Sequence, residues 1–208
     1  GRIQTRLHLA GGEFYFHPNM AKLRVQNLEK GQPDAFIAAA GLKPGATLLD
    51  CTLGLAADAI VASHVCGPTG NVVGLESQPL LAILAEEGLA RYQAGKGSLG
   101  EAMARIRVIN TDAEHYLTRL PDGAVDVVYF DPMFRHTKQV SSGMNLLRHL
   151  ANPRTVTKEM LEQAVRVAAK RVVLKERQGA RIFAELGIDS IVGGKYSAVS
   201  YGIITKNG

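Results

Sequence analysis

"VDVVYFDPMF", Val125 to Phe134, is the stretch on which the reading of the fold turns. Val127 to Phe130 are four consecutive apolar or aromatic residues, the pattern of a strand buried on both faces. The run stops at Asp131 and Pro132, and a proline cannot continue a hydrogen-bonded ladder. A buried strand that ends on a carboxylate delivers that group either to solvent or to a site.

Working outward, the same pattern recurs three times upstream. Thr47–Cys51 reads as a strand with Asp50 near its end, Asn71–Glu76 as a strand ending on Glu76, and Arg105–Asn110 as a strand followed by Asp112. Helical periodicity fills the intervals. One helix runs from about Ala56 to Val65. A second is capped by Ser77, has Pro79 in its first turn, and turns Leu80, Ile83 and Leu84 to the core. A third opens at Asp112 and runs to Leu120. "GKGSLG", Gly95–Gly100, reads as a loop. Downstream, Thr157 caps a helix with Met160, Leu161, Ala164, Val165 and Ala168 on one side, and Arg171–Lys175 reads as a strand. A helix is expected near Met144–Leu150 in the basic stretch Arg135–Arg154, and another over Ile182–Leu186. Ile188–Val192 and Ala198–Ile204 close the chain as an antiparallel hairpin. Near the start, Pro33 opens a short helix to Ala40, and the polar first 30 residues have room for a hairpin around Phe14–Phe16.

Strands alternating with helices predict βαβ units. The expected fold is α/β, a seven-stranded, mostly parallel sheet with a terminal antiparallel hairpin. A simple dinucleotide-binding fold would close on parallel strands. The terminal hairpin instead resembles the Rossmann-like class I S-adenosylmethionine (SAM)-dependent methyltransferases.

Composition narrows the class. A chain of 208 residues suits one α/β domain, and its 46% hydrophobic and 21% charged content is that of a soluble globular protein. No apolar run approaches the ~18 residues of a membrane span, and no secretory signal is visible, so a cytoplasmic protein is expected. The chain opens on Gly1 rather than Met, which suggests residues upstream. Cys51 and Cys66 form no ligand pair, so reduced thiols and no metal are expected. A net charge of +5 permits a polyanionic partner such as RNA.

Ligands of open α/β sheets bind beyond the carboxyl ends of the strands, so Asp50, Glu76, Asp112 and Asp131 are the candidate binding groups. The loop "DCTLGLAADA", Asp50–Ala59, has Thr52, Gly54 and Ala56 where a glycine-rich cofactor loop would have three glycines. Gly54 still permits close backbone approach, and Thr and Ala are small. Asp58 suits the N-terminal turn of the helix that follows. Glu76 can accept both hydroxyls of an adenosine ribose. Asp112 can accept from an adenine amino group or cap its helix.

"DPMF" suits methylation of an exocyclic amine, whose lone pair is delocalised into the base. Asp131 and the Pro132 carbonyl can accept both N–H groups and favour a pyramidal nitrogen, while Phe134 stacks on the base.

"LLDCTLGLAADAIVAS", "GLESQPLLAILAEEGLARY", "VVYFDPMFRHTKQ" and "KRVVLKER" together resemble the bacterial ribosomal small-subunit RNA methyltransferase J family and its uncharacterised relatives, over residues 33 to 178. The resemblance implies SAM as methyl donor and guanine N2 of small-subunit ribosomal RNA as acceptor. It also implies cofactor contacts from Ala57, Asp58, Glu76, Ser77, Asp112, Ala113 and Asp131. Ala56 and Ala57 stand where that family tends to have Gly and Arg. On this basis residues 33–208 form the methyltransferase domain and residues 1–32 an N-terminal extension.

Arg135, His136, Lys138 and Arg148 follow the motif, Lys22 and Arg24 lie in the N-terminal segment, and Lys170, Arg171, Lys175 and Arg177 flank the fifth strand. Arg135, Lys138, Arg148, Lys22 and Arg24 are the candidate RNA contacts. Other readings stay open: the same motif serves adenine N6 or a protein glutamine, and the sparse glycine loop admits a non-catalytic RNA-binding module with this fold.

Overall fold

The structure, a computed structural model, describes residues 6–9, 12–92, 97–132, 155–194 and 197–206. The N-terminal strands β1 (Arg6–Leu9) and β2 (Gly12–Tyr15) pair antiparallel as a separate hairpin. Helix α1 (Asn19–Glu29) follows, then α2 (Ala35–Ala40), which Asp34 caps by accepting the Ile37 N–H at 3.1 Å. The βα units come next: β3 (Thr47–Asp50), α3 (Ala57–Cys66), β4 (Asn71–Glu76), α4 (Pro79–Arg91), α5 (Ser98–Ala104), β5 (Ile106–Asn110), α6 (Ala113–Leu117) and β6 (Val125–Phe130). Beyond the undescribed stretch lie α7 (Lys158–Val167), β7 (Ala168–Arg177), α8 (Ile182–Glu185), β8 (Ser190–Val192) and β9 (Val199–Thr205).

Seven strands form one sheet in the order β5-β4-β3-β6-β7-β9-β8. The first five run parallel, whereas β9 lies antiparallel to both β7 and β8. This is the expected α/β sheet, with β9 inserted between β7 and the edge strand β8. The β3–β4 and β3–β6 pairs put Leu48, Leu49, Val127 and Val128 at the centre, all buried. Helices cover both faces: α1–α5 pack on the side of Leu48 and Tyr129, and α6–α8 on the side of Leu49 and Phe130. The alternation of these neighbours between two cores is the period-2 geometry of a strand.

Several expectations differ from the structure. Leu80 and Ile83 are exposed, and α4 buries Leu81, Ala82, Leu84, Ala85, Gly88 and Leu89 instead. Gln78 rather than Ser77 is the N-cap of that helix, without a side-chain cap bond. Ser98–Ala104 is helical, not loop. The polar N-terminal segment contains α1, whose Ala21 and Val25 enter the core and whose Glu29 accepts a hydrogen bond from Ser98. Phe16 lies against Gly88 so closely that a Cβ there would meet its Cγ at 2.1 Å. The helix expected at Met144–Leu150 lies outside the described residues.

Candidate active site

In the sheet register Asp50 lies beside both Gly74 and Tyr129. The residues that follow β3, β4 and β6 therefore leave the sheet together at its carboxyl edge. The loop after β3 is tied to both neighbours: the Cys51 N–H donates to the Tyr129 carbonyl and the Leu53 N–H to the Leu75 carbonyl, each at 2.9 Å.

Gly54 sits at φ +52°, and its N–H donates to Glu76 Oε2 at 3.0 Å, while the Gln78 N–H donates to Oε1 at 2.8 Å. Each oxygen of this buried carboxylate is thus oriented by a backbone donor and keeps lone pairs for a ligand. Burial raises the pKa of Glu76, and the backbone donors oppose that rise. Ala56, wholly buried at φ +62°, is the one described non-glycine residue in the left-handed region, which costs about 1 kcal/mol. Its N–H closes the turn on the Leu53 carbonyl at 2.8 Å.

Asp50 is buried, and Thr52 is its sole hydrogen-bond donor among the described residues, through the backbone N–H at 3.0 Å and the hydroxyl at 3.5 Å. Burial pushes its pKa up to about 8; the Asp58 and Asp131 charges add to the rise, while the Thr52 N–H and Lys175 oppose it. The Thr52 hydroxyl in turn accepts the Asp131 N–H at 2.6 Å, which fixes the backbone where the Asp-Pro pair begins.

The Asp131 carboxylate meets a cation. Phe130 pairs with Leu174 in the β6–β7 register, so the next residues, Asp131 and Lys175, lie side by side. Lys175 Nζ donates to Asp131 Oδ2 at 2.7 Å and to Asp58 Oδ2 at 3.0 Å. Asp58, in the first turn of α3, also accepts the Tyr129 hydroxyl at 2.8 Å and a guanidinium N–H of Arg24. Arg24 spans from Asp58 to both oxygens of Asp34, at 2.7 and 2.9 Å, and lies over the Phe36 ring at 5.8 Å.

These contacts divide the acids. Burial alone would raise Asp58, but Lys175 and Arg24 outweigh it and hold its pKa near 2. Asp131 goes the other way, to about 6, because burial and the Asp58 charge exceed the pull of Lys175. Burial would lower Lys175 and Arg24, yet the aspartates beside them raise both. Two cations, Arg24 and Lys175, face three aspartates, Asp34, Asp58 and Asp131. The cluster therefore carries a formal excess of one negative charge when all are ionised.

The structure thus gathers Asp50, Asp58 and Asp131, and joins Glu76 to them through Gly54. Pro132 follows Asp131 and is partly exposed, as are Ala57, which opens α3, and Ser77. Asp112 caps α6 by accepting the Glu114 N–H at 3.0 Å, and Ala113 opens that helix, two strands away from β3. Phe134, Arg135, His136, Lys138 and Arg148 lie outside the described residues. Lys22 is exposed on α1, but Arg24 is not the outward-facing phosphate contact expected of it. Its guanidinium is committed to Asp34 and Asp58. Lys175, grouped with the basic flank of its strand by sequence, is bonded to Asp131 and Asp58. Tyr129 is core, as expected, and also a donor to Asp58.

The family model described as "Putative SAM-dependent methyltransferase" matches residues 13–198. The chain is 42% identical over 194 residues to the uncharacterized protein YpiP of Bacillus subtilis, covering 93% of this chain and 75% of that one. It is 37% identical over 157 residues to the ribosomal RNA small subunit methyltransferase J of Hydrogenovibrio crunogenus, covering 73% of this chain. It spans only 54% of that relative's length. Among solved structures, a SAM-dependent methyltransferase from Neisseria gonorrhoeae superposes with a TM-score of 0.66 at 22% identity, over 97% of this chain and 79% of that one. The likeness carries the fold.

Proposed function

Since the chain belongs to the SAM-dependent methyltransferase family, we propose that it methylates an exocyclic base amine of RNA, the N2 amine of a guanosine in small-subunit ribosomal RNA. The observation that carries this reading is the Asp131-Pro132 pair, held by Thr52 and Lys175 at the carboxyl edge of the sheet. The similarity to ribosomal RNA small subunit methyltransferase J supports the choice of RNA.

The residues present fit a sulfonium cofactor. The aspartate cluster has an excess negative charge, and Asp50 is a buried carboxyl with no cation bonded to it among the described residues. Glu76, oriented by two backbone donors, is set to accept the ribose hydroxyls. Asp58, Ala57, Ser77, Asp112 and Ala113 complete the proposed binding positions.

When bound, SAM supplies a methyl group open to in-line attack. The contribution of this chain is position and electrostatics. Lys175 occupies Asp131 Oδ2, which leaves Oδ1 to accept one amine N–H and the Pro132 carbonyl to accept the other. Held by these two acceptors, the amine would present its lone pair to the methyl group that the bound donor would supply. Asp131, ionised at neutral pH with its pKa near 6, can take the surplus proton and return it to solvent. Phe134 stacks on the base, and Lys22, Arg135, Lys138 and Arg148 meet phosphates. A ribosomal RNA substrate would be met in the cytoplasm, which is the location this reading proposes.

The test is incubation of the protein and a methyl-labelled donor with small-subunit RNA, free and as assembled subunits, from a strain lacking the gene, followed by nucleoside identification. N2-methylguanosine is the expected product. Label in N6-methyladenosine or in protein glutamine would redirect the acceptor. Absence of label despite measurable cofactor binding would overturn the catalytic reading.

A further inference from the structure

Asp131 is held by a lysine that is itself held, and the anchoring runs back to the N-terminal helix. We propose that Lys175 is a positioning residue for methyl transfer: its ammonium pins one oxygen of Asp131 and leaves the other for the acceptor amine, while Arg24 of α1 neutralises Asp58 so that Lys175 stays on Asp131. This rests on the reading of Asp131 as the amine acceptor.

The geometry supports both halves. Lys175 donates to Asp131 at 2.7 Å and to Asp58 at 3.0 Å, so two carboxylates compete for one ammonium. Without Arg24, Asp58 would keep only Lys175 and the Tyr129 hydroxyl as side-chain donors among the described residues. The ammonium would then be drawn toward Asp58, and Asp131 would turn free. Arg24 cannot drift from this task, because Asp34 grips its other edge with both oxygens and Phe36 lies beneath it. Lys175 is also confined sideways, since Tyr201 on β9 is its register partner. The charged and titratable groups around the pair are Asp50 at the end of β3, Asp58 on α3, Arg24 on α1, Tyr129 on β6 and Tyr201 on β9.

The experiment reads Asp131 without substrate. Carboxyl ¹³C NMR of aspartate-labelled protein, assigned with Asp131→Asn, follows Asp131 through a pH titration in wild type, Lys175→Met and Lys175→Arg. Removing a cation at hydrogen-bond distance shifts a carboxylate up by about one pH unit or more. Lys175→Met is therefore expected to raise the Asp131 titration by that amount, and Lys175→Arg to bring it back. In methylation assays the acid limb of kcat should move with it, with KM for RNA and Kd for the cofactor changed less than about threefold. Arg24→Met should shift the Asp131 titration in the same direction as Lys175→Met. If the methionine variant fails to fold, Lys175→Gln carries the same expectation. An unmoved Asp131 titration in a folded Lys175 variant overturns the proposal, as does a rate loss explained by cofactor Kd alone. Normal NMR behaviour with no methylation by wild type would instead sink the functional reading and leave the positioning intact.

Discussion

Asp58→Asn tests the centre of the charge cluster and has a magnitude that can be worked out. In the folded protein the Asp58 pKa lies near 2, against an ordinary value of 3.8. At about 1.4 kcal/mol per unit this difference is worth about 2 kcal/mol to the folded state. Only 8% of the side chain is accessible, so solvent screening takes little from that figure. Because the folded pKa is depressed, the contribution is complete above the unfolded value. It disappears as pH falls through about 2. Asparagine keeps one acceptor oxygen but turns an amide donor toward Arg24 or Lys175, which adds to the loss. The variant should therefore be about 2–4 kcal/mol less stable at pH 7. Its deficit should shrink steadily between pH 4 and pH 2. Urea denaturation followed by circular dichroism at a series of pH values measures both quantities. A deficit below about 1 kcal/mol, or one that stays constant down to pH 2, would refute the assignment of Asp58 as the ionised centre of the cluster.

Other expectations follow from the same geometry. Asp131→Ala should reduce methyl transfer by at least about a hundredfold while calorimetry still finds the cofactor bound, its Kd weakened far less than the rate; near-normal turnover would remove Asp131 from the mechanism. In wild type the rate should fall as pH drops through about 6, where Asp131 takes up its proton, and a profile flat from pH 8 to 5 contradicts this. Glu76→Gln should weaken cofactor binding by about 10–100-fold, the worth of a charge-assisted hydrogen bond, and an unchanged Kd would end the ribose assignment. Gly88→Ala forces Phe16 aside, so the overpacking cost of about 1–3 kcal/mol should exceed the roughly 1 kcal/mol gain in helix propensity. A higher Tm in that variant would mean the N-terminal segment is not docked on α4.

Strands were the legible part of this chain. β4 and β6 have the bounds their apolar runs suggest, because a central parallel strand buried on both faces leaves an unbroken apolar signature. Helix faces were harder to read. Leu80, Leu81, Ile83 and Leu84 surround α4, so size alone does not set its phase, and the buried stripe is completed by Ala82, Ala85 and Gly88. α1 hid in a polar segment, although Ala21, Val25 and Leu28 are spaced four and three apart on one face. Within the site, the acids at the strand ends were visible as a repeating pattern. Their cations were not. Lys175 looks like any basic residue flanking a strand until the β6–β7 register sets it beside Asp131, and register across about 40 residues is not written in local sequence. Arg24 reaches Asp58 across 34 positions, for which a single sequence offers no cue.

The insertion of β9 between β7 and β8 also bears on how the molecule is made. Seven pairs of residues join β9 to β7, from Arg171–Thr205 to Arg177–Val199. Until β9 emerges from the ribosome, β7 is an open edge carrying Val172, Val173 and Leu174, and β8 has no neighbour in the sheet. Such an edge is a template for pairing with another chain. Until β9 has been made, Lys175 lacks Tyr201 as its strand partner, and the exposed edge of β7 is open to association.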